Sequence, residues 1–196
     1  MGREICDSNT GIDCHLVTSR MRFRRLTIGG CFLIEPERLS DERGFFARTF
    51  CVEKLGQQGL MTGISQQSIS FNHKAGTLRG LHWQESPHAE TKLVRVTMGR
   101  IADLILDLRP SSPTYLKHEF VELSAENRST VLIPTGCAHG FITLVDQCEL
   151  FYQMDTPYHA SSQRGVRYND PSFGIEWPRS IEVISDRDRS YPDFVA

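Results

Sequence analysis

The chain lacks several features that would place it in a specialised class. It has no Cys-x-x-Cys pair among six cysteines, no excess of one charge, with 22 Lys and Arg against 24 Asp and Glu, and no long apolar run. A bilayer span needs about 20 apolar residues. These absences argue against a Cys-x-x-Cys site, a membrane protein and a nucleic-acid partner. Because the N-terminus also lacks the apolar core of a secretion signal, we expect free thiols in a reducing cytoplasm.

The composition is that of an ordinary globular domain. At 196 residues, with 39% hydrophobic and 23% charged residues, the chain can bury one sizeable core. Residues 1–20 are polar and aperiodic, which predicts a disordered leader ahead of a single domain over residues 21–196. We find no internal repeat and no low-complexity stretch.

Long amphipathic helices are missing as well, and short strand patterns take their place. The clearest pattern runs from Ile101 to Arg109, where Ala102 and Leu104 alternate with Asp103. Turn residues bound this strand and its successors at the spacing of a barrel or sandwich. Only Val52 to Leu60 suits a short helix, stopped near Gly59. The sequence therefore predicts an all-β barrel or sandwich fold with few short helices.

Residues 76–84 carry more polar groups than a plain core strand. Period-2 alternation directs Gly80, His82 and Gln84 to one face, beside a position with no side chain. A small molecule could approach the backbone at Gly80. The alternative is a buried histidine that is hydrogen-bonded to a neighbouring strand.

The stretch from Pro134 to Gly140 has the Pro-x-Gly-x-x-His spacing of the second cupin motif, and His82 and Glu90 lie where the first motif would be. The chain thus resembles a cupin jelly roll. Metal cupins use a His-x-His pair, a Glu and a further His. Here the second member of that pair is Gln84, and an amide is a poor substitute for imidazole. A metal at His82, Glu90 and His139 remains an alternative, but we expect no metal and no cofactor.

Further motifs narrow the resemblance to one family, the dTDP-4-dehydrorhamnose 3,5-epimerases, over about residues 24–194. They occur in that family's order and spacing: Arg43-Gly44-x-Phe46, Gly76-x-Leu78-Arg79-Gly80-Leu81-His82-x-Gln84, Glu90-x-Lys92, Pro134-x-Gly136-x-Ala138-His139-Gly140-Phe141, Asn169-Asp170-Pro171, Ile175-x-Trp177-Pro178 and Ser185-Asp186-Arg187-Asp188.

The resemblance implies a metal-free cupin that epimerises a nucleotide-linked 4-keto-6-deoxyhexose beside its ketone. Such chemistry needs a base, a proton donor on the opposite face of the ring, and a cation at the enolate oxygen. By the family pattern His82 is the base and Asp188 orients it. Tyr152 matches the proton donor, and Lys92 would stabilise the enolate. From the residues alone, Asp188 would be a solvated tail residue and Tyr152 a strand tyrosine.

The same resemblance assigns substrate contacts. The matching residues comprise three arginines for the diphosphate and nucleotide, two aromatics for the base, and three polar residues in the sugar pocket: Arg43, Arg79 and Arg187; Phe46 and Tyr158; Gln66, Gln84 and His139. Regular alternation turns Arg79 away from His82. Arg79 must therefore reach the ligand from the rim or across a bulge.

The resemblance also implies a homodimer. In the family, the strand that carries Arg43 and Phe46 crosses to the partner subunit, so each site is built from two chains.

Some positions depart from the family pattern, and the substrate is therefore open. Ser68 stands where Asn is common, Arg48 where Glu is frequent, Cys137 replaces an apolar aromatic, and Ala160 replaces a proline. Either C3 or C5 or both could be epimerised. Two other functions also remain: a 3,4-ketoisomerase, against which Tyr152 argues, and a non-catalytic sugar-binding cupin.

Overall fold

The computed structural model describes residues 20–60 and 63–195, so almost all of the predicted leader lies outside the described residues. Strands dominate this part of the chain. They are β1 Met21–Arg25, β2 Phe32–Pro36, β3 Leu39–Asp41, β4 Gly44–Phe46, β5 Gln66–Asn72, β6 Thr77–Gln84, β7 Lys92–Met98, β8 Arg100–Asp107, β9 His118–Ser124, β10 Thr130–Ile133, β11 Cys137–Thr143, β12 Cys148–Met154, β13 Gln163–Gly165 and β14 Val183–Ile184; the helices are α1 Val52–Gln57 and α2 Asp186–Arg189.

The strands form two sheets, each with strands distant in sequence side by side. One sheet has the order β1-β2-β10-β7-β12-β5, and the other has the order β13-β6-β11-β8-β9, with β14 paired to β6. All neighbours are antiparallel except β14 and β6. Strand β10 lies between β2 and β7 in the first sheet, although β9 and β11 belong to the second sheet. The chain therefore crosses from one sheet to the other between consecutive strands, as in a jelly roll. The predicted all-β class is confirmed.

The main core lies between the sheets and follows from period-2 alternation. Val94 and Val131 from the first sheet pack with Ile101, Ile105 and Phe141 from the second. The alternation predicted for β8 is right, but both of its faces are buried. Leu104 and Leu106 belong to a separate outer cluster, whereas Asp103 and Asp107 are 0% exposed. Two carboxylates are therefore inside the molecule, and each needs a partner.

Helix α1 covers part of the outer face of the first sheet. Leu55 packs with Phe32, Leu93 and Leu132 in a second apolar cluster. The helix ends at Gln57, earlier than the predicted Leu60, because the chain enters the left-handed region at Gly59 (φ +68°).

Strand β6 is flanked on its outer side by two short strands with a gap between them. β14 pairs with Thr77 and Leu78, and β13 pairs with His82, Trp83 and Gln84. Helix α2 begins directly after β14 and occupies the gap. The last part of the chain is thereby brought against the middle of β6.

Strands β3 and β4 form a separate two-stranded hairpin. Its apolar side chains are largely exposed, with Phe45 45% and Phe46 47% accessible. Among the described residues, no helix has the length and apolar character required to cross a membrane.

Candidate active site

A cavity of about 710 Å³ opens between the two sheets, and it gathers most of the residues singled out from the sequence. It is lined by all the predicted catalytic residues and all but two of the predicted binding residues: His82, Asp188, Tyr152, Lys92, Gln66, Arg79, Gln84, His139, Tyr158 and Arg187. The two exceptions are Arg43 and Phe46. They lie on the exposed hairpin, where Arg43 pairs with Asp41.

His82 and Asp188 form a close pair at the gap beside β6. His82 Nε2 lies 2.7 Å from Asp188 Oδ1, and the Gly80 N–H donates to Asp188 Oδ2 at 3.1 Å. Ser185 caps α2 by accepting from the Asp188 N–H. Burial alone would raise the pKa of Asp188, but hydrogen bonds from His82, Gly80 and Ser185 outweigh it and lower the pKa. Asp188 is therefore an ionised carboxylate placed to accept from His82 Nε2–H.

A β-bulge explains how Arg79 and His82 both reach the cavity. In the β6–β11 ladder, His82 faces His139 and Arg79 faces Phe141, so β6 contains one residue more than β11 over this interval. The extra residue reverses the alternation and turns both side chains the same way. Of the two routes expected for Arg79, from the rim or across a bulge, the structure contains the bulge.

The expectation of a small molecule at Gly80 is wrong. A Cβ there would lie 2.7 Å from the His139 carbonyl oxygen and 2.6 Å from Gly140 Cα, so the neighbouring strand takes that space. The φ of +113° also favours glycine.

Lys92, Glu90 and Gln84 form a polar network on one wall. Lys92 Nζ lies 3.1 Å from Glu90 Oε1 and donates to the His82 carbonyl at 3.1 Å. The Gln84 amide donates to Glu90 Oε2, and its oxygen accepts from the His159 N–H at 2.6 Å. Glu90 and Gln84 are thus engaged with each other and with Lys92 and the His159 backbone. Residues 20–60 and 63–195 contain no group of three or more His, Cys, Asp or Glu able to hold a metal.

His139 has its own carboxylate partner, Asp103, which the sequence did not single out. His139 Nε2 and Asp103 Oδ1 are 2.7 Å apart, and the second oxygen of Asp103 has no hydrogen-bond partner among the described residues. Burial raises the pKa of Asp103, despite the opposing influence of His139 and Lys92. The signal for Asp103 was its position between Ile101 and Ile105 on the inward face of an apolar strand.

Tyr152 reaches the cavity from the opposite sheet. Its ring contacts the His139 imidazole edge to face, with centroids 6.0 Å apart. Burial and the charge of Asp103 raise the pKa of Tyr152 well above its usual value, so the phenol keeps its proton at neutral pH. The cavity thus has the His82 imidazole on one sheet and a protonated phenol on the other.

The rim carries the side chains suited to an anionic, aromatic ligand. Arg79 Nε donates to the buried Asn72 amide oxygen at 2.7 Å. Tyr158 is 54% exposed, and its hydroxyl donates to Gln163 Oε1 at 2.5 Å.

Arg187 and Gln66 complete the rim. Arg187 Nε donates to the Tyr191 hydroxyl at 2.9 Å, and Gln66 Oε1 accepts from the Tyr158 N–H. The supporting residues Asn72, Gln163 and Tyr191 were also missed, since their partners are distant in sequence or lie in loops.

Comparisons with known proteins agree on one family. The family model for dTDP-4-dehydrorhamnose 3,5-epimerase matches residues 25–195. Curated relatives of that name include one from Sinorhizobium fredii, 39% identical over 88% of this chain and 89% of its own length. Another is from Methanothermobacter thermautotrophicus, 40% identical over 88% of this chain and 94% of its own.

Solved structures have the same fold. The dTDP-4-dehydrorhamnose 3,5-epimerase from Bacillus anthracis, with TDP and PPi bound, is 38% identical with a TM-score of 0.86, covering 89% of this chain and 100% of that one. A Streptomyces bikiniensis 3'-monoepimerase in complex with dTDP-quinovose is 32% identical with a TM-score of 0.81, covering 87% and 86%. The predicted cupin jelly roll is confirmed, and the chain belongs to the dTDP-4-dehydrorhamnose 3,5-epimerase family.

Proposed function

We propose that this protein is an isomerase that epimerises a nucleotide-linked 4-keto-6-deoxyhexose at C3, C5 or both, for deoxysugar biosynthesis. One observation carries the proposal: His82 and Tyr152 enter one cavity from facing sheets. A ring bound between them has a base on one face and an acid on the other, which is what inversion requires.

His82 begins the reaction by removing a proton. The C4 ketone acidifies the hydrogens on C3 and C5, and His82 Nδ1 takes one of them. Asp188, ionised and 2.7 Å from Nε2, stabilises the imidazolium that forms and fixes the tautomer that receives the proton. The electron pair of the broken C–H bond moves into the enolate.

Lys92 supports the next step by stabilising the enolate oxygen. Its ammonium lines the cavity and is only 12% exposed, so its charge is weakly screened. Donors in comparable sites contribute about 3 kcal/mol to transition-state stabilisation. His139 lies beside His82 in the ladder and lines the same cavity. We propose that it contacts the sugar near the ketone.

Tyr152 completes inversion by returning a proton to the carbon from the opposite face. The enolate collapses to the ketone and Tyr152 becomes a phenolate, while His82 holds the proton that was removed. Exchange of both groups with water restores the starting state. Because the pKa of Tyr152 is raised, the acid is protonated when the substrate arrives.

The substrate's nucleotide would lie along the rim. Arg79 and Arg187 offer planar, permanently charged groups for a diphosphate, and the exposed ring of Tyr158 offers a surface for the base. The Bacillus anthracis relative holds TDP and PPi, and a Legionella pneumophila relative holds dTDP-4-keto-L-rhamnose.

The number of carbons that are epimerised depends on details of the pocket. The Streptomyces bikiniensis relative is a 3'-monoepimerase, so relatives of one fold differ in this respect. Ser68 pairs directly with Tyr152 on the neighbouring strand and lines the cavity. Its small side chain leaves space beside the proposed acid.

We also propose a homodimer that completes each site with Arg43 and Phe46 of the other chain. Both residues lie away from the cavity of their own chain, on a hairpin whose Phe45 and Phe46 are exposed. Strand β5 ends its sheet, and its outward Ile69 and Phe71 are 66% and 40% exposed. Such apolar edges are normally covered in a native assembly. The expected cytoplasmic location stays a prediction.

A panel of 4-keto sugar nucleotides incubated with the enzyme in deuterium oxide, with a chelator present, tests the function. We expect deuterium at C3, C5 or both, together with inverted product, read by NMR. Movement of the ketone to C3 would instead identify a ketoisomerase. Absence of any exchange with every substrate would contradict the proposal.

A further inference from the structure

Tyr191 follows α2 and lies on the bare backbone of Gly165. A Cβ at Gly165 would lie 2.2 Å from Tyr191 Cζ and 2.6 Å from its hydroxyl oxygen. The φ of Gly165 is outside the range that favours glycine, so its backbone could accept other residues. Glycine is needed at this position because the tyrosine ring fills the space.

This contact places Tyr191 beside the proposed base. Gly165 is the direct partner of His82 in the β6–β13 ladder. The rings of Tyr191 and His82 meet edge to face, with centroids 6.0 Å apart and planes inclined by 68°. Asp188 therefore holds one nitrogen of His82, while Tyr191 packs against its ring.

The hydroxyl of Tyr191 contacts a second residue of the cavity. It accepts a hydrogen bond from Arg187 Nε at 2.9 Å, and the Arg187 guanidinium carbon lies 5.9 Å from the Tyr191 ring centroid. Since this bond uses Nε, the two terminal nitrogens form the fork that can receive phosphate oxygens.

We infer that Tyr191 is a positioning residue that aligns His82 with Arg187, and so aligns the reacting sugar with the diphosphate. The identity of the ligand rests on the proposed function, whereas the contacts do not. The ring acts through His82 and the hydroxyl acts through Arg187. These two actions can be separated by substitution.

The first test compares Tyr191→Phe with Tyr191→Leu. The phenylalanine keeps the ring and loses the acceptor for Arg187. We expect it to weaken thymidine diphosphate binding about fivefold by calorimetry and to raise KM similarly, with kcat less affected. The leucine also loses the ring, so kcat should fall roughly tenfold or more. Tyr115→Phe, outside the cavity lining, is the matched control and should change neither quantity. Equal affinity and equal KM for Tyr191→Phe and the wild type would overturn the hydroxyl's role.

The second test uses Gly165→Ala, whose effect should depend on Tyr191. In the wild-type background the new methyl group displaces the ring, lowering kcat and the urea midpoint of unfolding. In a Tyr191→Ala background the same change should have no further effect, because the clashing atoms are gone. Gly29→Ala, with nothing within 4 Å of its Cβ, is the control. Additive effects of the two substitutions would refute the packing role.

Neither the calorimetry nor the unfolding cycle requires turnover. If no substrate is epimerised but both measurements behave as expected, the proposed function fails and the role of Tyr191 stands. If the wild type turns over substrate and both measurements fail, only the role of Tyr191 is lost.

Discussion

Asp103 Oδ1 and His139 Nε2 lie 2.7 Å apart inside the barrel, where the two side chains are 0% and 5% exposed. Burial without full hydrogen bonding is costly for a carboxylate, so this pair is retained against a cost in stability. Its position beside Tyr152 suggests what it does: Asp103 orients His139, and its charge adds to the burial that raises the pKa of Tyr152.

Asp103→Asn should therefore lower kcat, by up to about 100-fold, without reducing the stability of the fold. Asp107→Asn is the matched control, since Asp107 is equally buried on the same strand but pairs with Arg109 and not with a histidine that lines the cavity. Asp107 accepts from Arg109, Ser112 and Thr114, so its loss should cost about 1–3 kcal/mol and spare kcat. Urea unfolding measures the stability of each variant, and initial rates measure its kcat. A loss of stability alone in Asp103→Asn would make the pair structural.

Sequence patterns predicted most strands of the two sheets because apolar residues at alternate positions of these strands face the core between the sheets. They also indicated that Arg79 would reach the ligand either from the rim or across a bulge. They could not place Asp103, because alternation alone does not tell an inward polar residue from an outward one, and β8 is buried on both faces.

The contact between His82 and Asp188 spans 106 positions and depends on the gap between β13 and β14. No local pattern predicts such a gap. Asp188 was therefore found through the family motif, and Tyr191, which carries no such motif, was missed.

His82→Asn should abolish exchange at every carbon, whereas Asp188→Asn should leave a small remainder. The first change removes the base, and the second leaves the imidazole with the wrong tautomer preferred. Exchange into solvent deuterium measures both. Two mild and equal losses would mean that His82 has a structural role.

Tyr152→Phe should still exchange hydrogen at C3 or C5 while largely returning the original stereochemistry. Abstraction depends on His82 and inversion depends on the phenol. NMR of the product formed in deuterium oxide measures hydrogen exchange and inversion separately. If the phenylalanine variant inverts its substrate at the wild-type rate, Tyr152 is not the acid.

The pairing of Asp188 with His82 should make the stability of the fold depend on pH under acidic conditions. Because the pKa of Asp188 is lower in the folded state than in the unfolded state, its contribution is present above about pH 4 and is lost as pH falls through the folded pKa. The difference in unfolding free energy between wild type and Asp188→Asn should shrink from about pH 6 to about pH 3. A difference that stays constant over this range would show that Asp188 is not stabilised as a carboxylate.

Mixing two inactive variants tests the shared site. Arg43→Ala and His82→Asn subunits, exchanged in solution, should regain part of the activity, since one site of each mixed dimer then contains both native residues. Mixing His82→Asn with Asp188→Asn is the control, because both changes fall in the same half of the site. No recovery in a verified mixed dimer would refute the complementation.

The placement of Asp188 beside β6 also orders events on the ribosome. Both facing sheets, with His82, Lys92, His139 and Tyr152, are complete in sequence by β13 except for the short strand β14, and domains generally begin to fold from the N-terminal side during synthesis. A nascent chain that ends before Ser185 can therefore form most of the cavity while its base still has no carboxylate partner. The newly made barrel therefore gains the carboxylate that orients its base only when the segment after β13 has been synthesised and has packed against β6.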